Sequence, residues 1–247
     1  MKQNVYNQSQ FFEGYKKLRE SNSGLNDVLE QPALRALLPR LEGKQILDIG
    51  CGMGQFVSYC AQQGANKVVG TDISNNMIKY ANQHNKGEDT EFVCSAIEDL
   101  QFENQSFDLI VSSLVLHYVK DYREVVSKVH RWLRTGGIFI FSIEHPMVTS
   151  QNPMQGWVYN EQGQKICWPV DHYGEEGERR QSWFIDGVIK YHRKLATVVN
   201  ELIEEGFQIE RMEEPEATVA ALTERPELGE HGRRPPILLV KCKKGLS

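Results

Sequence analysis

Apolar positions along this chain change period several times, and each change marks an element. Leu34, Leu37, Leu38 and Leu41 recur at helical spacing behind Pro32, which suits a first helical turn, so the front of the chain to about Lys44 reads as helical. From Gln45 onward short apolar runs alternate with helical stretches. Runs at 46–49, 67–72, 91–94, 107–113 and 138–143 predict five strands. Between them, residues 55–63 predict a helix stopped by Gly64, and Ser74 caps a second over 75–85. Asp121 caps a third, with Val125, Val126, Val129, Trp132 and Leu133 on its core face and Arg134 and Gly136-Gly137 at its end. A last helix through Leu195, Val198, Val199, Leu202 and Ile203 stops at Gly206, and runs at 207–209 and 237–240 close the sheet. Strand alternating with helix implies a parallel sheet covered on both faces.

Residues 144–190 break that rhythm. They hold three of the four tryptophans, Trp157, Trp168 and Trp183, together with Tyr159, Tyr173 and Phe184. Trp157-Val158-Tyr159-Asn160, a turn at 161–164 and Lys165-Ile166-Cys167-Trp168 predict a hairpin. Inserted after the fifth strand, it lies near the carboxyl ends of the strands, where α/β sheets bind ligands. Two readings stand: a substrate lid, or a hairpin hiding its aromatics against the core or a second copy. Upstream, Tyr6, Phe11, Phe12 and Tyr15 crowd a polar stretch with Lys16 and Arg19, as a docked helix would.

The most informative run is Ile46-Leu47-Asp48-Ile49-Gly50-Cys51-Gly52-Met53-Gly54-Gln55. A buried strand ends in alternate glycines, which permit unusual dihedrals and close approach of a ligand. The dinucleotide fingerprint needs a third glycine where Gln55 stands, and no lysine follows Gly54 as a phosphate-binding loop requires. Asp48 makes the loop a better cradle for a cation than for phosphate. The run resembles the first motif of class I S-adenosylmethionine-dependent methyltransferases.

Further motifs keep the family's order. Lys67-Val68-Val69-Gly70-Thr71-Asp72 ends in an acid about 20 residues beyond the loop, placed to accept both ribose hydroxyls. Ser95-Ala96-Ile97-Glu98-Asp99-Leu100 resembles the family's adenine-binding turn, but Ala96 stands where an acid is usual, so backbone groups around Ile97 are expected to read the base. The resemblance implies a doubly wound, mostly parallel seven-stranded sheet with an antiparallel last strand. It implies cofactor contacts from Asp48, Gly50, Cys51, Gly52 and Gly54, from Asp72, Ile73 and Met77, and from Ala96, Ile97 and Ser112. It also implies an N-terminal flap over the cofactor, with Tyr15 and Arg19 as its contacts. Glu144-His145-Pro146 and Tyr191-His192-Arg193 are similar to a ubiquinone/menaquinone-biosynthesis-like branch that acts on small molecules.

The organisation expected is one compact domain: a helical flap (1–44), a cofactor core (45–143), an aromatic lid (144–190) and a closing helix with strands (191–247). Methyl transfer from a sulfonium is an in-line displacement, so alignment and exclusion of water are the protein's tasks. A hydroxyl acceptor would need a base, and His145 and His117 follow strands at the expected site. Glu144 offers a different chemistry, orienting a cationic amine with aromatics from the lid residues Trp157, Tyr159, Trp168, Tyr173 and Trp183. The Asn/Asp-Pro-Pro-Tyr motif of base and glutamine methylation is absent after the fourth strand, and no carboxylate cluster suggests a metal.

Charge and cysteine usage narrow the picture. Net charge is −5, which argues against a nucleic-acid surface. No apolar run reaches the ~20 residues of a membrane span, Met1-Lys2-Gln3-Asn4 starts no signal peptide, and five cysteines without metal or redox spacing fit a reducing cytoplasm. A metal-independent methyltransferase acting on a small molecule is the expectation. Two alternatives remain open at this point: a non-catalytic partner protein that binds the same cofactor, and an oxidoreductase with an atypical dinucleotide site.

Overall fold

In a computed structural model, which describes residues 2–21, 24–85 and 87–245, the chain alternates strands and helices around one large sheet. Met1, where the leader reading starts, lies outside the described residues. Helices α1 (Ser9–Glu20) and α2 (Gln31–Leu37) precede β1 (Gln45–Ile49), α3 (Gln55–Gln62), β2 (Lys67–Asp72), α4 (Asn75–His84) and β3 (Thr90–Cys94). The chain continues through β4 (Phe107–Ser113), α5 (Tyr122–Trp132), β5 (Leu133–Glu144) and α6 (Pro146–Thr149). Two short pairs follow, β6 (Val158–Tyr159) with β7 (Lys165–Cys167) and β8 (Gly177–Trp183) with β9 (Ile185–His192). Then come α7 (Leu195–Glu204), β10 (Phe207–Glu213), α8 (Val219–Glu224) and β11 (Ile237–Lys244).

Seven strands lie in the order β10-β11-β5-β4-β1-β2-β3. Pairs from β3 to β5 are parallel, while β11 runs antiparallel to both β5 and β10. This is the class I methyltransferase arrangement that the sequence implied. Strand order reverses between β1 and β4, and the crevice at the carboxyl ends of such a pair is where open α/β sheets take ligands.

Period-two alternation builds the core. Leu47, Ile110 and Phe139 pack on one face with Val125, Val129 and Trp132 of α5 and Val198 of α7. Their sequence neighbours Ile46, Leu109 and Ile140 pack on the other with Leu34 of α2 and Val57 and Cys60 of α3. Strand residues buried on both faces account for the continuous apolar runs.

The structure departs from the sequence pattern in three places. Leu133, expected on the helix face, opens β5: its backbone is extended and it pairs with Phe107, so β5 starts before the glycine pair. Pro146 starts a short helix at the end of β5, its first turn capped by the His145 ring. The larger departure is the β8–β9 hairpin, whose first strand reads Gly177-Glu178-Arg179-Arg180-Gln181-Ser182-Trp183 and carries no apolar alternation.

That hairpin meets the N-terminal segment. Phe11 packs edge-on against Trp183 and Phe184 with ring centroids 5.2 and 5.5 Å apart, and Tyr15 meets Trp183 at 6.2 Å. The Gln3 amide bonds the Ile189 backbone in both directions, donating at 3.1 Å and accepting at 2.7 Å. Asn4 and Asn7 fasten the same segment to the loop after β2, through Ile73 O and Ser74 Oγ. No helix among the described residues is long and apolar enough to cross a membrane.

Candidate active site

The loop after β1 is fixed from below, where the Gly50 and Cys51 amides donate to Thr71 O at 2.7 and 2.9 Å. Its glycines serve different ends. A Cβ on Gly50 would overlap the Val115 side chain, and one on Gly54 would lie 2.8 Å from Phe92 Cζ and 3.0 Å from Ala81 Cβ. Gly54 thus supplies the close helix–strand packing that a dinucleotide fingerprint assigns to the glycine missing at Gln55. Gly52, at φ +52°, meets nothing within 4 Å and opens onto a cavity.

Two acids stand behind this opening. Asp72 accepts the Gly52 N–H at 3.0 Å on Oδ2 and the Ser74 N–H at 2.7 Å on Oδ1. Burial pushes its carboxyl up to about 6 despite those bonds. Asp48 is raised further, to about 8, by burial first and then by Asp72 and Glu30. Glu30 is itself fully buried at the N-terminal end of α2, where Ser142 Oγ donates to it at 2.7 Å and the Gln31 amide at 2.8 Å. Buried carboxyls at this end of the cavity favour a ligand that brings positive charge and hydroxyl donors.

The cavity extends from this acidic end to an aromatic and cationic one, with a volume of about 1470 Å³. Asp48, Gly50, Cys51, Gly52, Asp72, Ile73 and Met77 line it, as do Ala96 and Ile97, Tyr15 and Arg19, and His117, Glu144 and Trp183. Arg19 pairs with Asp27 at 2.8 Å. Other candidates lie off the wall. Ser112 is buried, donating to Ile49 O at 3.1 Å and tying β4 to the end of β1. Gly54 faces Phe92. Trp157 and Trp168 pack edge-on at 5.5 Å, and Trp168 Nε1 donates to Met147 O at 3.0 Å. Tyr159 is exposed on β6, and the Tyr173 hydroxyl accepts the Leu195 amide at 3.0 Å. Of the six lid candidates, only Glu144 and Trp183 line the cavity.

The two histidines also separate. His117 lines the cavity, and its Nδ1 accepts the Glu144 N–H at 3.3 Å, which leaves a proton on Nε2. Burial holds it down at about 3, with Lys190 and Arg193 adding and Glu144 opposing, so the ring is neutral at pH 7. His145 is off the lining: Nδ1 accepts the Met147 N–H at 3.1 Å and Nε2 meets Glu214 Oε1 at 2.9 Å. Both ring nitrogens are engaged, so the ring caps α6 and does not line the cavity.

Several wall residues escaped the sequence reading. Tyr6 and Tyr118 bring their rings to the cavity from the N-terminal segment and from the turn after β4. Lys190 of β9 is almost wholly buried and bonds Glu144 at the end of β5, under the rings of Trp183 and Tyr118. Arg234, just before β11, completes the wall. Its Arg233-Arg234-Pro235-Pro236 context carries a breaker signal and no sign of burial.

Residues 47–141 match the family model described as a methyltransferase domain. The solved S-adenosylmethionine dependent methyltransferase from Mesorhizobium loti is 38% identical, covering 90% of this chain and 99% of that one, with a TM-score of 0.82. A Haemophilus influenzae protein described as uncharacterized is 36% identical over 250 residues, 97% of this chain and 96% of its own length. Phosphoethanolamine N-methyltransferase 3 of Arabidopsis thaliana is 32% identical over 121 residues, 47% of this chain; the match spans 24% of that protein's length.

Proposed function

This chain belongs to the S-adenosylmethionine-dependent methyltransferases, and we propose that it moves the methyl group onto a small-molecule acceptor held in the same cavity as the donor. It is therefore an enzyme, and S-adenosylmethionine is its cofactor. When bound, that cofactor supplies an electrophilic methyl on a sulfonium. The residues fit it in two respects: Gly52 leaves open space where any Cβ would intrude, and Asp48 is a buried carboxyl raised to about 8. In this reading Asp72 takes the ribose hydroxyls, the backbone around Ala96 and Ile97 takes the adenine, and Asp48 answers the cationic methionyl end. Tyr15 and Arg19 close over that end from α1.

One observation carries the acceptor assignment. A cavity of about 1470 Å³ exceeds the ~300–1,000 Å³ of a pocket for one small ligand, and its far end is roofed by the β8–β9 hairpin and the N-terminal segment. A roofed cavity admits a small molecule more readily than a protein or nucleic acid surface. His117, neutral with its Nε2–H free, donates a hydrogen bond to the acceptor or the cofactor and does not take a proton. Aligned, dehydrated reactants then suffice for in-line transfer.

Metal independence belongs to the same proposal. Among the described residues no three His, Cys, Asp or Glu side chains converge as a metal site would need. A cytoplasmic location is supported by five free cysteines. The match to the Arabidopsis relative covers less than half of this chain, so its printed acceptor is not carried over. The test is incubation with methyl-labelled S-adenosylmethionine and a cell filtrate of small molecules. Label in a small molecule supports the reading, and label confined to macromolecules contradicts it.

A further inference from the structure

The acceptor end of the cavity has two buried cations and one carboxylate. Lys190 and Glu144 are already paired, and Lys190 is 1% exposed. Burial raises the Glu144 carboxyl, but Lys190, His117 and Arg234 outweigh it and hold it below the ordinary carboxylate range, so it is ionised. Arg234 is left over. It is 7% exposed, it lines the cavity, and its Nε is buried without a hydrogen-bond partner. The guanidinium stacks on Trp168 with its carbon 4.2 Å from the ring centroid, and lies 5.9 Å from that of Trp157.

A guanidinium cannot shed its proton, and a buried cation is costly unless paired. Aromatic faces fix its plane but accept none of its N–H bonds. Glu144 acts on it by charge but forms no ion pair with it: its Oε1 is engaged with Lys190, and its Oε2 is buried without a hydrogen-bond partner. The missing partner is therefore a planar or tetrahedral oxyanion arriving through the cavity, for which the arginine fork is the matched geometry. The two tryptophans, off the cavity wall, thereby gain a role as the platform that aims the fork.

We propose that Arg234 is the specificity residue for an anionic group of the methyl acceptor, a carboxylate or a phosphate, which docks on its guanidinium within the cavity. This rests on the small-molecule reading above and narrows it to an anionic acceptor. An oxygen whose lone pairs are held by a guanidinium is a poor nucleophile, so the anion anchors the acceptor and another atom takes the methyl. The sulfonium–methyl bond breaks as it does so, leaving S-adenosylhomocysteine and releasing that atom's proton, where it carries one, to solvent. The product keeps its negative charge.

The experiment labels a small-molecule filtrate with methyl-labelled S-adenosylmethionine and passes the products over an anion-exchange resin at pH 7. Label retained by the resin is expected, and alkaline phosphatase treatment then distinguishes the sources: release marks a phosphate, retention a carboxylate. Arg234→Gln should cut product formation by roughly tenfold or more while S-adenosylhomocysteine binds unchanged, and Arg234→Lys should restore part of the loss. Label in small molecules that carry neither a carboxylate nor a phosphate, as identified by mass spectrometry of the labelled products, overturns the anion site and leaves the small-molecule reading intact. Label in macromolecules alone contradicts both. Full turnover by a folded Arg234→Gln protein, verified by its cofactor affinity, also overturns the assignment.

Discussion

Gly52 donates its backbone N–H to Asp72 Oδ2 at 3.0 Å, so the open glycine of the loop and the acid that ends β2 form one unit. The same carboxylate accepts the Ser74 amide at the start of α4. Asp72 therefore shapes the loop as well as lining the cavity.

Asp72→Ala should weaken cofactor binding by about 1–3 kcal/mol, because ligand hydrogen bonds and the loop's amide partner go together. Asp72→Asn keeps one acceptor oxygen and should lose less. Calorimetric titration with S-adenosylhomocysteine checks both, and equal affinities for the alanine variant and the parent would remove Asp72 from the site.

The glycines should separate in their effects. Gly52→Val projects its side chain into open cavity space, so cofactor affinity should collapse while the protein stays folded, less about 1 kcal/mol of backbone strain. Gly50→Ala should instead lower thermal stability, since its methyl overlaps the Val115 side chain. Paired melting and binding curves test this, and a Gly52→Val protein with normal affinity contradicts close backbone approach.

Asp48 gives the ligand-free protein a pH signature. Its carboxyl sits at about 8 in the fold against ~4 in an unfolded chain, so the folded state holds a proton that the unfolded state releases. The stability from this group is full below pH ~4 and is lost as pH rises toward 8; Asp72, at about 6, adds the same sign over a lower window. Asp48→Asn should flatten the decline in melting temperature between pH 5 and 8.5 and stabilise the ligand-free protein at pH 8. The same change should weaken S-adenosylmethionine binding, and a variant with unchanged pH dependence would disprove the assignment.

The histidines should divide likewise. His145→Ala removes the cap of α6 and the Glu214 contact, and should cost about 1 kcal/mol of stability with methyl transfer preserved. His117→Ala removes a donor from the cavity wall and should slow transfer more than it destabilises. Label incorporation from S-adenosylmethionine, compared with thermal melts, distinguishes the two; a His145→Ala protein that melts normally but transfers slowly would reverse the roles.

The glycine-loop end of the cavity was legible because it is written in local pattern. Ile46 and Leu47 alternate onto opposite faces of the sheet, the glycines need their own dihedrals, and Asp72 follows its strand at a fixed interval. The opposite end was not, because its parts come from distant segments and have no common period. Lys190 sits on a strand paired with a polar one, and Arg234 sits beside prolines in a loop; only the fold brings both to Glu144. The tryptophans misled for a related reason. Trp157 and Trp168 announce an aromatic site by composition, but their rings pack on each other and on the cations Lys165, Arg233 and Arg234, while Trp183 alone of the three reaches the cavity.

A crystal structure with S-adenosylhomocysteine measures the central claim most directly. The account predicts the ribose hydroxyls within hydrogen-bond reach of Asp72, the methionyl portion over Gly52, and the sulfur facing the wall of His117, Glu144 and Lys190. A nucleoside seated off Asp72, or a sulfur turned away from that wall, would contradict it.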